Sequence, residues 1–220
     1  MSAAALLAAL QVADSAFPTG GFAFSWGLEA ALAEGRADRR SFPDWLAAEM
    51  LGRWARFDRP AVAGAWRRPD PAALLGWDAE VDALIWAEPI RRRSAEAGAA
   101  LLAAAARLGD PAGAALRDAA AEARAAGHLP VAQGAVFRSL GLTLDLALAA
   151  SAHAAAQALA TAALRLGAVG ALEAQAALAA LRPRLAEAVA DPGPDARPAA
   201  FAPLSEIAML RPPAGRLFVN

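Results

Sequence analysis

Windows of alanine and leucine with scattered arginine and glutamate fill most of this 220-residue chain. Alanine is the best intrinsic helix former, and leucine, arginine and glutamate also favour helix. No window between turn signals alternates apolar and polar residues with the β-branched enrichment that is typical of a strand. These patterns predict an all-α protein, and the length fits a single helical-bundle domain that buries its own core.

Capping residues show where the helices begin. Ser41, Asp70 and Asp110 each precede a proline by one or two positions, and a capping side chain before a proline is a helix-start signal. From Pro130 the pattern predicts one long helix to Leu166, followed by a shorter helix over Leu172 to Leu181.

The first predicted helix covers Ala3 to Ala13. Leu6, Leu7 and Leu10 recur at helical spacing in it, which predicts an apolar stripe along this helix.

The segment from Phe17 to Leu32 combines a Pro-Thr-Gly-Gly turn with a predicted helix that is apolar around most of its circumference. The large apolar residues of this helix are Phe22, Phe24, Trp26, Leu28 and Leu32. Such a helix needs neighbours on nearly every side. Ser25 and Glu29 lie one turn apart among these residues, so we expect Glu29 in a buried or interfacial position. The pattern indicates a contact surface more than a reaction centre.

The segment Asp191 to Pro198 breaks the helical pattern and predicts a stiff linker. The chain therefore divides into a helical domain, residues 1–190, and a linker with an apolar C-terminal tail, residues 191–220. Apolar residues continue to its end: Leu204, Ile207, Met209, Leu210, Leu217, Phe218 and Val219. Because chain ends are usually polar and loose, we expect this tail to dock, either on its own body or on another chain.

Charge and cysteine content exclude several classes of partner. The 21 basic and 22 acidic residues leave a net charge of -1, which provides no general field for nucleic acid or an anionic membrane. The chain has no cysteine, hence no disulfide and no thiolate metal site. Its first residues do not resemble a secretory signal, so we expect a cytoplasmic location.

The stretch from Leu146 to Leu164 has no charged residue and is about long enough to span a bilayer. It consists mostly of alanine, which anchors poorly in lipid compared with leucine or phenylalanine. We therefore interpret it as a buried helix of the bundle, with a membrane helix as the alternative.

Candidates for catalysis and metal binding are few. His128 and His153 are far apart and lack the close companions of a metal site, so we expect a capping or surface role for His128, a core position for His153, and neither a metal site nor a cofactor. Asp78 and Asp82 share a helix face, as the magnesium ligands of helical prenyl-transfer enzymes do. A solvated face explains that pair better, and a small Mg-dependent enzyme is the alternative function. The run Arg91 to Arg93 predicts a helix surface.

Several motifs together resemble the UreF family, the all-helical accessory proteins of nickel urease maturation. The motifs are LLAALQVADSAFPTGGFAFSWGLEAAL from Leu6, RRSAEAGAALL from Arg92, HLPVAQGAVFRSLG from His128, AALRLGAVGALEAQAAL from Ala162 and PLSEIAMLRPPAGRLF from Pro203. The resemblance runs from Leu6 to the C-terminus and is weaker between Phe42 and Trp86.

This resemblance implies a non-enzymatic protein that forms homodimers and binds the accessory protein UreD, also called UreH. It implies that this complex recruits the GTPase UreG and delivers nickel to apo-urease. The residues assigned to partner contacts on this basis are Phe22, Phe24, Ile207, Leu210, Arg211, Leu217 and Phe218. Arg216 is the candidate for recruiting UreG, as a planar charged anchor. Ser25 and Glu29 are candidates for lining a polar passage or for fixing the interface between subunits.

Overall fold

The computed structural model describes residues 2–18, 25–122, 124–190 and 197–199, and all regular structure in these ranges is helical. The prediction of an all-α fold is therefore confirmed. The α-helices are α1 (Ala3–Ala13), α2 (Leu28–Ala33), α3 (Phe42–Glu49), α4 (Arg59–Trp66), α5 (Pro71–Leu84), α6 (Glu88–Arg107), α7 (Pro111–Ala121), α8 (Leu129–Ser139), α9 (Leu144–Arg165) and α10 (Ala171–Ala190). A π-helical segment, Met50–Asp58, joins α3 to α4. The division into a domain and a tail stays a prediction.

The predicted helix starts are confirmed. Ser41 precedes α3, and the carboxylate of Asp70 accepts the N–H of Ala73 at 2.8 Å in the first turn of α5. Asp110 does the same for Gly113 at 3.1 Å at the start of α7. Each of the two carboxylates satisfies a backbone donor that has no partner inside its helix, whereas the Ser41 hydroxyl bonds to Asp38 instead.

The predicted single helix from Pro130 to Leu166 is wrong, because the chain turns between α8 and α9. Gly141 follows α8 with φ of 77°, the left-handed conformation that ends many helices. Thr143 then begins α9, and its hydroxyl accepts the N–H of Leu146 at 3.4 Å. The last helix, α10, is longer than predicted and continues through Pro183 to Ala190.

Helix α9 forms the centre of the bundle. It packs against α1, α4, α8 and α10, and alanines such as Ala147, Ala160 and Ala163 are completely buried along it. It is the one described helix whose length and composition would allow it to cross a membrane. Because more than half of its apolar window is buried inside the bundle, α9 is a core helix, as the sequence predicted.

Helix α1 presents a different face to the core from the one that the leucine spacing suggests. Ala9, Val12 and Ala13 are buried against the bundle, whereas Leu7 and Leu10 are 67% and 59% exposed. Small residues allow α1 to approach the alanine-rich α9 closely. The leucines consequently point away from the core.

Candidate functional site

The helix predicted within the segment Phe17 to Leu32 does not include Trp26. Trp26 and Gly27 both have positive φ, 51° and 81°, so the helix begins only at Leu28 and α2 has six residues. Left-handed backbone is unusual for tryptophan and marks a position that its surroundings must hold. The other predicted contact residues, Phe22, Phe24, Ile207, Leu210, Arg211, Arg216, Leu217 and Phe218, lie outside the described residues, and their roles stay predictions.

Ser25 and Glu29 are both buried, which confirms the expected position of Glu29. Ser25 has no exposed surface and Glu29 is 8% exposed. The carbonyl of Ser25 accepts the N–H of Leu28 at 2.9 Å, and Glu29 lies in the first turn of α2, where an acidic side chain stabilises the helix dipole. The two residues therefore belong to the packed interior at the start of α2.

A cavity of about 110 Å³ lies beside Trp26, between α1, the π-helical segment, α6, α8 and α9. Its apolar wall is formed by Val12, Ala13, Ile90, Leu101, Phe137, Ala154, Ala155 and Ala158. Its polar groups include Arg53, Asp58, Arg93, Ser94, Gln133 and Ser151. We call this space the α9 cavity, because the alanines of α9 leave it open.

The π-helical segment supplies two charged residues to the wall of the α9 cavity. The guanidinium of Arg53 lies 3.6 Å from the ring centroid of Trp26, a cation–π contact, and its Nη2 is 3.8 Å from Oδ1 of Asp58. Burial raises the pKa of the Asp58 carboxyl above its usual value, and the charge of Arg53 opposes this shift. Arg53 therefore connects the left-handed Trp26 to the cavity wall.

A chain of hydrogen bonds fixes the opposite side of the wall. The indole Nε1 of Trp54 donates to the hydroxyl of Ser151 at 3.2 Å, and that hydroxyl donates to Oε1 of Gln133 at 2.9 Å. The three residues come from the π-helical segment, α9 and α8. These buried hydrogen bonds fix the positions of the three elements relative to one another around the cavity.

Asp78 does not lie on a solvated face, and that prediction is wrong. The residue has no exposed surface, and its carboxylate accepts the N–H groups of Ala126, Gly127 and His128 at 2.6, 2.9 and 3.1 Å. Both carboxylate oxygens thus bind backbone donors. Asp78 anchors the loop before α8, and this role explains the carboxylate without a magnesium ion.

The histidine predictions are partly wrong: His128 is the N-cap residue of α8, in line with the expected capping role, but it is not a surface group, and His153 is not in the core. His128 is completely buried, with its Nε2 2.9 Å from Oδ1 of Asp82, while His153 is exposed. Nε of Arg91 lies 3.3 Å from the same oxygen of Asp82. Among the described residues, no group of three or more His, Cys, Asp or Glu side chains is arranged to hold a metal ion.

The arginine run is only partly a surface. Arg92 is exposed, as predicted, whereas Arg91 bonds back to the carbonyls of Asp82 and Ile85 at 3.2 and 2.9 Å. Arg93 lines the α9 cavity and pairs with Glu96. Sequence reasoning did not single out Arg53 and Asp58. The signal that they offer is a pair of opposite charges beside Trp54 and Phe57.

Comparison with known proteins identifies a matching protein family. The UreF family model matches residues 37–182. A urease accessory protein UreF of Cereibacter sphaeroides is 39% identical over 189 residues, which cover 86% of this chain and 83% of the relative. The same-named protein of Paracoccus denitrificans is 40% identical over 197 residues, covering 86% and 82%. That of Mesorhizobium japonicum is 39% identical over 199 residues, with the same coverage.

Proposed function

Because the chain belongs to the UreF family of urease accessory proteins, we propose that it acts in urease maturation as a binding protein and not as an enzyme. In this proposal it forms a cytoplasmic homodimer, binds UreD/UreH and recruits the GTPase UreG. The complex then delivers nickel to apo-urease, so nickel is the cargo of the complex and not a resident cofactor of this chain.

The exposed leucines of α1 are the observation that carries the proposal. Leu6, Leu7 and Leu10 are 38%, 67% and 59% exposed on one short helix; we call them the α1 leucine face. A contiguous apolar face on the surface is typical of a protein-binding site. Since α1 packs on α9 through its other side, a partner can cover the leucines without disturbing the core.

The tail and the residues Phe22 and Phe24 complete the proposed contact surface. We assign Phe22, Phe24, Ile207, Leu210, Arg211, Leu217 and Phe218 to contact with UreD/UreH. Arg216 is assigned to UreG, because a guanidinium offers several donors in a planar, permanently charged group. Ser25 and Glu29, which are buried, are assigned to lining a polar passage or to fixing the interface between subunits.

Co-purification with UreD/UreH tests the leucine face. We expect the double variant Leu7→Glu, Leu10→Glu to lose the complex, because carboxylates would have to be desolvated at the interface. Both leucines are exposed, so the fold should persist by circular dichroism. The matched control is Leu172→Glu, at a leucine that is 86% exposed at the start of α10. A folded double variant that binds UreD/UreH like the control would refute the assignment.

Two further variants separate the proposed partners. Removal of residues 205–220 should abolish co-purification with UreD/UreH. Arg216→Ala should keep the UreD/UreH complex but lose UreG. A truncated chain that still binds UreD/UreH would refute the tail assignment, and an Arg216→Ala variant that retains UreG would refute the role of the arginine.

A further inference from the structure

The chain returns to the bundle just before its apolar tail. The N–H of Ala199 donates to the carbonyl of Arg56 at 3.0 Å, and Pro198 is buried. Arg56 belongs to the π-helical segment that also supplies Arg53 and Asp58 to the α9 cavity. The last described residue before the tail, residues 200–220, therefore contacts an element that forms part of the cavity wall.

The tail is long enough to enter the α9 cavity. An extended chain spans about 3.3–3.6 Å per residue, so the eight residues that follow Ala199, up to and including Ile207, can cover roughly 25 Å. A helix with its side chains is about 10–12 Å across. The chain can thus pass around the π-helical segment and present Leu204, Ile207 or Leu210 at the cavity mouth.

The cavity and the tail also match in chemistry. The wall is mainly apolar, with the alanines of α9 opposite Ile90 and Leu101, and its volume is about 110 Å³. Apolar cavities of about 150 Å³ take up benzene, so one branched aliphatic side chain is of the right size. Glu206 directly precedes Ile207 in the tail, and Arg93 at the cavity offers it a guanidinium.

We propose that the tail segment Leu204–Leu210 docks in the α9 cavity of its own chain, with Ile207 as the inserted side chain. A tethered segment is present at an effective concentration in the millimolar range, which favours it over a separate molecule. This docking does not depend on the function proposed above. If that function also holds, the docked tail is withheld from UreD/UreH until the partner displaces it.

Disulfide trapping in the full-length chain tests the docking. Because the chain has no native cysteine, only the two introduced cysteines can form a disulfide. We expect the pair Ala158→Cys, Ile207→Cys to oxidise within one chain. The matched pair Leu172→Cys, Ile207→Cys places the first cysteine on the surface outside the cavity and should cross-link at least about tenfold more slowly. Both measurements use the isolated protein without any partner.

Filling the cavity gives a second readout. Ala158→Phe should release the tail and raise the rate of tryptic cleavage after Arg216 several-fold, while Ala180→Phe, on the exposed side of α10, should not. Equal cross-linking of the two cysteine pairs overturns the proposal. So does cross-linking only between chains, which identifies a second copy as the occupant. Protection of the Ala158→Cys thiol from alkylation only after UreD/UreH is added also overturns it, because the partner is then the occupant.

Discussion

Oδ1 of Asp82 and Nε2 of His128 lie 2.9 Å apart, although the two residues are 46 positions apart in the chain. A carboxylate can only accept, so Nε2 carries the proton of this bond. One turn earlier on α5, Asp78 accepts three N–H groups of residues 126–128. Helix α5 thus fixes the start of α8, the helix that supplies Gln133 to the α9 cavity.

Asp78→Asn is expected to lower the free energy of unfolding by about 2–3 kcal/mol, since an amide loses the charge and turns two donors toward backbone N–H groups. Urea unfolding followed by circular dichroism measures the change. Asp82→Asn is the control, because its half-exposed side chain can exchange partners with water. Equal effects of the two substitutions would contradict the anchoring role of Asp78.

Gly98→Ala should destabilise the protein by about 2 kcal/mol or more, because the added methyl group would overpack the space next to a neighbouring backbone. A Cβ at Gly98 would overlap the carbonyl of Gly127 and lie 2.9 Å from the carbonyl carbon of His128. Gly76→Ala, also in a helix but with open space around its Cβ, should stabilise by about 0.5–1 kcal/mol. Thermal melts of both variants check the opposite signs, and a shared sign would contradict the close approach of α6 to this loop.

Capping chemistry made much of the fold predictable from the sequence. The caps formed by Asp70 and Asp110 are local interactions, so the starts of α5 and α7 could be predicted from the sequence. The break between α8 and α9 depends on the left-handed Gly141, which the sequence does not distinguish from a glycine inside a helix such as Gly134. The spacing of Leu6, Leu7 and Leu10 predicts an apolar face on α1, but periodicity does not show what covers that face.

The cavity could not be predicted, because it depends on long-range packing. Arg53 and Asp58 are five residues apart; in an α-helix this spacing separates two side chains, whereas the i→i+5 bonds of a π-helix bring them onto one face. Asp78 was misassigned for a similar reason. Its three backbone donors are about fifty residues away in the chain, beyond any local pattern.

Ser151→Ala should lower the free energy of unfolding by about 1–3 kcal/mol, because it leaves the indole N–H of Trp54 and Oε1 of Gln133 buried without this shared partner. Ser139→Ala is the matched control, since its hydroxyl donates only to the carbonyl of Val136 near a helix end. Chemical unfolding compares the two variants. A loss no larger than that of the control would show that the chain of hydrogen bonds does not stabilise the wall.

The buried carboxyl of Asp58 predicts a pH dependence of stability. Burial raises its pKa above the ordinary 3.8, against the opposing charge of Arg53. Between the ordinary and the raised pKa the folded protein holds a proton that the unfolded chain has released, so the free energy of unfolding falls as pH rises through this interval. Asp58→Asn removes this titration. The stability of the variant relative to wild type should therefore rise with pH, by at most about 1.4 kcal/mol per pH unit.

Urea unfolding at a series of pH values measures this difference, and Glu173→Gln provides a control of opposite sign. The hydrogen bond from Arg39 and the N–H of Gly170 lower the pKa of Glu173 below 4.5, so its contribution is present above pH 4.5 and is lost as pH falls through the lowered pKa. The Glu173 side chain is 42% exposed, and screening by solvent keeps its effect small. If wild type and Asp58→Asn show parallel stability curves, the Asp58 carboxyl ionises as it does in the unfolded chain, and its burial beside Arg53 has no influence on folding.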